Sequence, residues 1–195
     1  MRTTTSSRLT AAGAGLALAL ALAACTSGEA TSPTSASSAA TTSSTDPGDV
    51  RFAQSMIPHH EQAVEMAQIA LDGRAAASTE VKALAEQIAA AQEPEIATMN
   101  GWMSQWGAPT SMEGMDHEMD GMMSSEQMGD LASATGADFD KQWLTMMIQH
   151  HEGAVSMADA VLATTNDARV SELARSVVQG QKSEIATMQG LLQGS

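Results

Sequence analysis

The chain has 195 residues, a formal net charge of −14 and one cysteine, Cys25. That balance argues against nucleic acid and anionic lipid headgroups as partners and suits the attraction of cations. A single thiol excludes an internal disulfide framework, so an exported domain of this chain must build its own apolar core.

Residues 1–25 read as a lipoprotein signal peptide. Arg2 and Arg8 form a basic n-region, and "LTAAGAGLALALALAAC" supplies an apolar stretch too short to span a bilayer comfortably. The closing "LAAC" resembles a bacterial lipoprotein signal, in which Cys25 is lipidated and becomes the first residue. The expectation is an exported protein, lipid-anchored at the outer face of the cell membrane, with no thiol left for chemistry. Residues 26–48, almost all Ser, Thr, Ala, Pro and Gly, cannot bury enough apolar surface to order themselves and read as a flexible tether.

Residues 49–195 form the domain. Their Ala, Leu, Met, Glu and Gln content and apolar periodicity predict helices near 49–72, 79–105, 138–164 and 168–192. The first helix carries "MIPHHEQAVEMA" from Met56 and the third "MIQHHEGAVSMA" from Met147, identical at nine of twelve positions. The second carries "QEPEIATM" from Gln92 and the fourth "QKSEIATM" from Gln181, identical at six of eight. The offsets are 91 and 89 residues, so one helical hairpin is present twice, with breaks at "LDGRAAAST" and "LATTNDA". Two such hairpins predict an all-α, antiparallel four-helix bundle. Pro58 and Pro94 lie only in the first copy, and each is expected to free a carbonyl one turn earlier and bend its helix.

A rotation of about 100° per residue puts Met56, His60, Ala63 and Ala67 on one stripe, with His59 at its margin. Met147, His151, Ala154 and Ala158 repeat it, with His150 beside them. The histidines are therefore predicted inside and Glu61 and Glu152 outside, so "HHE" is not in itself a three-ligand cluster. On the second helix of each hairpin, Glu95 shares an apolar face with Gln92 and Met99, and Glu184 with Gln181 and Met188. A buried carboxylate is costly unless paired, hydrogen-bonded or bound to metal. An inward His–Glu pair serves equally well to lock two helices in register. Duplication of the whole set favours metal binding, given Met56 and Met147 one turn before the histidines and no available thiol. Met66 and Met157 read as core packing. If the copies meet across a two-fold axis, all four histidines approach one centre; otherwise two half-sites result.

Residues 107–128 form a methionine-rich connection. Met112, Met115, Met119, Met122 and Met123 are interleaved with His117, acidic residues, Gly114 and Gly121. Thioethers favour Cu(I) and imidazole suits either copper oxidation state, so the segment reads as a copper-acquisition arm. The bland alternative is an adaptable apolar loop, since methionine fills gaps well.

"MIPHHEQAV", "MIQHHEGAV", "FDKQWLTM" and the two "EIATM" blocks resemble the domain-of-unknown-function 305 family over about residues 49–193. The resemblance implies a ferritin-like helical bundle, often exported, with His59, His60, His150 and His151 at signature positions. It also implies, for some members, copper binding of the kind performed by periplasmic metallochaperones.

The leading reading is a membrane-tethered, extracytoplasmic copper-binding protein for sequestration or transfer. Its partners would be metal ions, the membrane through its lipid, and a copper-delivery protein. It needs no catalysis, and no G-x-S-x-G, Walker pattern or other catalytic constellation occurs. The runner-up is a ferritin-like metal-dependent oxidase. Against it, the chain lacks Glu-x-x-His and offers only two matching inward carboxylates. A metal-free helical interaction module is the third reading; it leaves the buried carboxylates and the methionines to separate explanations.

Overall fold

The computed structural model describes residues 45–110 and 119–194. Cys25, the segment before residue 45, and Met112, Met115 and His117 lie outside the described residues. The architecture is all-α: α1 (Pro47–Leu71), α2 (Thr79–Trp106), α3 (Ser125–Ser133), α4 (Gly136–Leu162) and α5 (Ala168–Gly194), with a short 3₁₀ turn at Gly73–Ala75. No strand occurs among the described residues.

The helix ends follow from local chemistry. Asp46 caps α1 by accepting from Gly48 N–H at 2.7 Å, and Pro47 occupies the first turn, where its missing donor costs nothing. Ser78 caps α2, and its own N–H donates to Asp140 of α4 at 3.1 Å, which ties the start of one hairpin to the other. Gly107, at φ 63°, closes α2 in the left-handed conformation that glycine adopts without strain. Both α1 and α2 run unbroken through Pro58 and Pro94.

One expectation needs correction. The methionine-rich connection does not run on as irregular chain to residue 128. It ends at Ser124, whose side chain and that of Gln127 form a reciprocal capping box that opens α3. Met123 and Met128 are buried with Leu131 in the apolar core, where they pack as core side chains.

Each hairpin packs on itself, α1 on α2 and α4 on α5, and the hairpins meet chiefly through α1 and α4. Ala63, Ala67, Ala154 and Ala158 are fully buried, and such small side chains let two helices approach closely. The core divides into two apolar clusters. One joins Phe52, Met56, Met99, Trp102, Val170 and Val177; the other joins Met66, Ile88, Phe139, Trp143, Met147 and Met188. Along α1, α2, α4 and α5 the histidines, Gln92, Glu95, Gln181 and Glu184 fall between these clusters, so a polar layer separates two greasy ones. No helix among the described residues is long and apolar enough to cross a membrane.

Candidate metal centre

His59 and His60 sit mid-way along α1, His150 and His151 mid-way along α4, and all four are fully buried. The two copies of the hairpin make the same pair twice. His60 Nε2 lies 2.9 Å from Glu95 Oε2, and His151 Nε2 lies 2.7 Å from Glu184 Oε2. The rings of His59 and His150 meet across the hairpin interface with centroids 3.8 Å apart and planes tilted by 41°. His150 and His151 stand at 6.3 Å. The arrangement is one cluster of four imidazoles flanked by two carboxylates, not two separated half-sites.

Hydrogen-bond logic fixes the proton positions. An ionised carboxylate only accepts, so His60 and His151 donate from Nε2–H to Glu95 and Glu184, and the neutral tautomer that does so carries its lone pair on Nδ1. The Asp120 carbonyl, 3.3 Å from His59 Nε2, assigns the same tautomer to His59. The Nδ1 atoms of His59, His60 and His151 and both ring nitrogens of His150 are buried with no hydrogen-bond partner, as are both amide atoms of Gln92 and Oε1 of Gln181. Buried polar atoms are ordinarily paired, so these nitrogens, unsatisfied by protein groups, are available as donors to a bound ligand or to water. A carboxylate behind an imidazole whose other nitrogen is free is the usual support of a metal-binding histidine. The donor set therefore fits a metal ion. Among the described residues, no three His, Cys, Asp or Glu side chains stand ready-made around one point. His59 and His150 instead meet ring to ring, so as placed their nitrogens do not converge on one point.

Burial, reinforced by the neighbouring His60, pushes the pKa of His59 down to about 3. Burial, with His59 and the other two histidines adding to it, holds His150 well below the ordinary histidine value. Both are neutral at pH 7, with lone pairs free for metal. In the unfolded chain the same groups take up protons near pH 6.5, so the unfolded state binds more protons between that value and the folded pKa. The stability involved is fully present above pH 6.5 and is lost as pH falls toward 3. Every tenfold weakening of proton affinity on folding corresponds to about 1.4 kcal/mol, so His59 alone accounts for several kcal/mol. Thermal melts of the metal-free protein should show a steep fall between pH 6.5 and 4; a flat profile would contradict neutral, buried imidazoles.

The remaining candidates divide by position. Met56 and Met99 lie in one apolar cluster and Met147 and Met188 in the other, all fully buried. Glu95 keeps 18% of its side chain exposed against 8% for Glu184, so the first carboxylate is the more accessible. Met119 and Met122 are half-buried. Sequence reasoning missed Gln62, Asp120, Gly121 and Gly153, which bring the end of the connection against this cluster. The available signal was that Gln62 and Gly153 are equivalent positions at which the two repeats differ.

The family model described as Domain of unknown function (DUF305) matches residues 49–192. Among solved structures, a DUF305 protein from Streptomyces coelicolor, described as a candidate secreted protein, superposes with TM-score 0.70 at 34% identity, covering 75% of this chain and 93% of that one. A DUF305 fragment from Deinococcus radiodurans gives TM-score 0.69 at 32% identity, covering 77% and 98%. CopM in its Cu(I)-bound form gives TM-score 0.64 at 32% identity, covering 75% and 96%, and CopM is also known in Cu(II)-bound and Ag-bound forms. The uncharacterized protein L153 of Acanthamoeba polyphaga mimivirus is 38% identical over 53 residues, a match spanning 27% of this chain and 35% of L153.

Proposed function

We propose, for a chain that belongs to the DUF305 family, that it binds copper outside the cytoplasm and either sequesters the ion or passes it to a delivery partner. The observation that carries this reading is the cluster of four buried imidazoles, two from each repeat, each with a ring nitrogen that no protein group satisfies. Likeness to CopM, whose structures hold Cu(I), Cu(II) and silver, supports it. So does donor chemistry: imidazole and thioether suit copper, whereas two inward carboxylates are few for a di-iron site.

In this reading copper is cargo. His59, His60, His150 and His151 supply nitrogen donors, while Glu95 and Glu184 orient His60 and His151 and offset the charge of the ion. Met56, Met99, Met147 and Met188 give the centre soft walls. Met119 and Met122, with Met112, Met115 and His117, collect Cu(I) at the connection. The two hairpins form a ferritin-like antiparallel bundle, and lipid on Cys25 with the tether after it holds the domain at the outer membrane face.

The test is a competition titration of the protein with Cu(I), Cu(II), Zn(II) and Fe(II), followed by elemental analysis. Copper should outcompete zinc under matched conditions. Preferential iron binding would replace this reading with the oxidase, and no specific metal would leave the histidines structural.

A further inference from the structure

The two HHE motifs differ at the residue after the glutamate, Gln62 in α1 and Gly153 in α4. Both differences act on one short stretch, Met119–Met123. On the α1 side, Gln62 Nε2 donates to the Met123 carbonyl at 2.9 Å, and Met123 N–H donates to Gln62 Oε1 at 2.7 Å. On the α4 side, Gly153 leaves bare backbone. A Cβ there would overlap the Asp120 carbonyl and come within 2.9 Å of Gly121 Cα. Gly121 is equally constrained: its φ is 85°, and a Cβ on it would meet the Gln149 carbonyl at 2.8 Å and Gly153 Cα at 3.0 Å. The same stretch touches the histidines, because the Asp120 carbonyl accepts from His59 Nε2.

We propose that Gln62 and Gly153 are positioning residues that fasten Met119–Met123 as a strap across the histidine cluster, and that this strap sets how fast a soft ion leaves it. The inference rests on the copper reading of the centre. Its physical basis is complementary treatment of the two helices. Where the strap stands off α1, a long amide side chain reaches out and satisfies both polar groups of the Met123 backbone, which a connecting segment needs to have paired. Where the strap lies directly on α4, the helix carries no side chain at all. Glycine inside a helix works against helix propensity, so its presence in α4 follows from the close approach rather than from the helix. The Asp120 carbonyl then holds His59 in the tautomer that leaves Nδ1 free for an ion. Met119 and Met122 are carried on the same five residues, which places soft donors beside the closure.

The test compares wild type with Gln62→Ala, Gln62→Glu and Gly153→Ala in the full mature chain. Amide hydrogen exchange is measured on the metal-free protein, and Cu(I) association and release into excess chelator on the loaded one. Both alanine variants should exchange the Met123 amide at least tenfold faster and release Cu(I) at least tenfold faster, with association no slower than wild type, which a distorted centre would not give. Gln62→Glu keeps the acceptor for Met123 N–H and loses the donor, so it should fall between wild type and alanine. Unchanged Met123 exchange would overturn the positioning role, and faster exchange with wild-type release would overturn control of the ion. Should Gly153→Ala fail to fold, the two Gln62 variants decide the question alone. A wild type without histidine-dependent copper would reject the copper reading and the strap's effect on release, while amide exchange would still judge the positioning.

Discussion

His150→Leu is expected to weaken copper binding severely and, at the same time, to stabilise the metal-free protein. The ring nitrogens of His150 are buried with no well-formed hydrogen bond, only a loose approach to the His59 backbone, so the imidazole forfeits its hydration and recovers little in return. An unsatisfied buried polar group costs about 1–3 kcal/mol, and leucine of similar bulk removes that cost while keeping apolar contact. A net gain of about 1–2 kcal/mol is expected after imperfect packing is allowed for. For a domain of this size that is a rise in Tm of about 2–4 °C per kcal/mol. The gain should grow as pH falls below 6.5, because the depressed His150 pKa makes the wild type lose stability there and the variant carries no such group. Melts at pH 7 and pH 5 with copper chelated, paired with a copper titration, read both effects. A stability loss at both pH values would mean the imidazole serves the fold.

Trp143→Ala is expected to give the largest loss of stability. Trp143 is fully buried in α4, and its Nε1–H donates to the Met66 carbonyl of α1 at 2.9 Å, so it joins the two hairpins by packing and by a hydrogen bond. Truncating a buried tryptophan costs about 3–5 kcal/mol, and the lost hydrogen bond adds about 1 kcal/mol. That is a large part of the roughly 5–15 kcal/mol typical of a whole domain. Trp143→Phe keeps most of the apolar contact and should lose only about 1–2 kcal/mol. Urea unfolding of the three proteins gives the ordering. An alanine variant as stable as the phenylalanine one would show that this contact does not hold the hairpins together.

The repeat made much of this arrangement legible in advance. Two HH pairs and two EIATM blocks at nearly equal offsets implied paired hairpins, and helical rotation put the histidines inside and Glu61 and Glu152 outside, where they lie. Whether the copies would share one centre was not legible. That depends on α1 meeting α4, and the apolar stripe of one helix does not say which other helix it faces. The unequal exposure of Glu95 and Glu184 arises from packing between elements and leaves no trace in either block. Two features were present in the sequence and misread or passed over. Ser124 and Gln127 spell a capping box, but the surrounding methionines drew the reading toward an irregular arm. Gly153 drew no reading at all, although glycine in the middle of a helix is itself a signal of close backbone approach.

The central claim is that the four buried histidines form the copper site. It is tested most directly by equilibrium copper competition on wild type and on the variant with His59, His60, His150 and His151 all changed to alanine. The account predicts a loss of at least about 100-fold in affinity, since even changing the groups behind a metal-binding histidine costs about 10–100-fold, with only weak Cu(I) uptake left to the methionines. Copper affinity equal to wild type in the quadruple variant would contradict it.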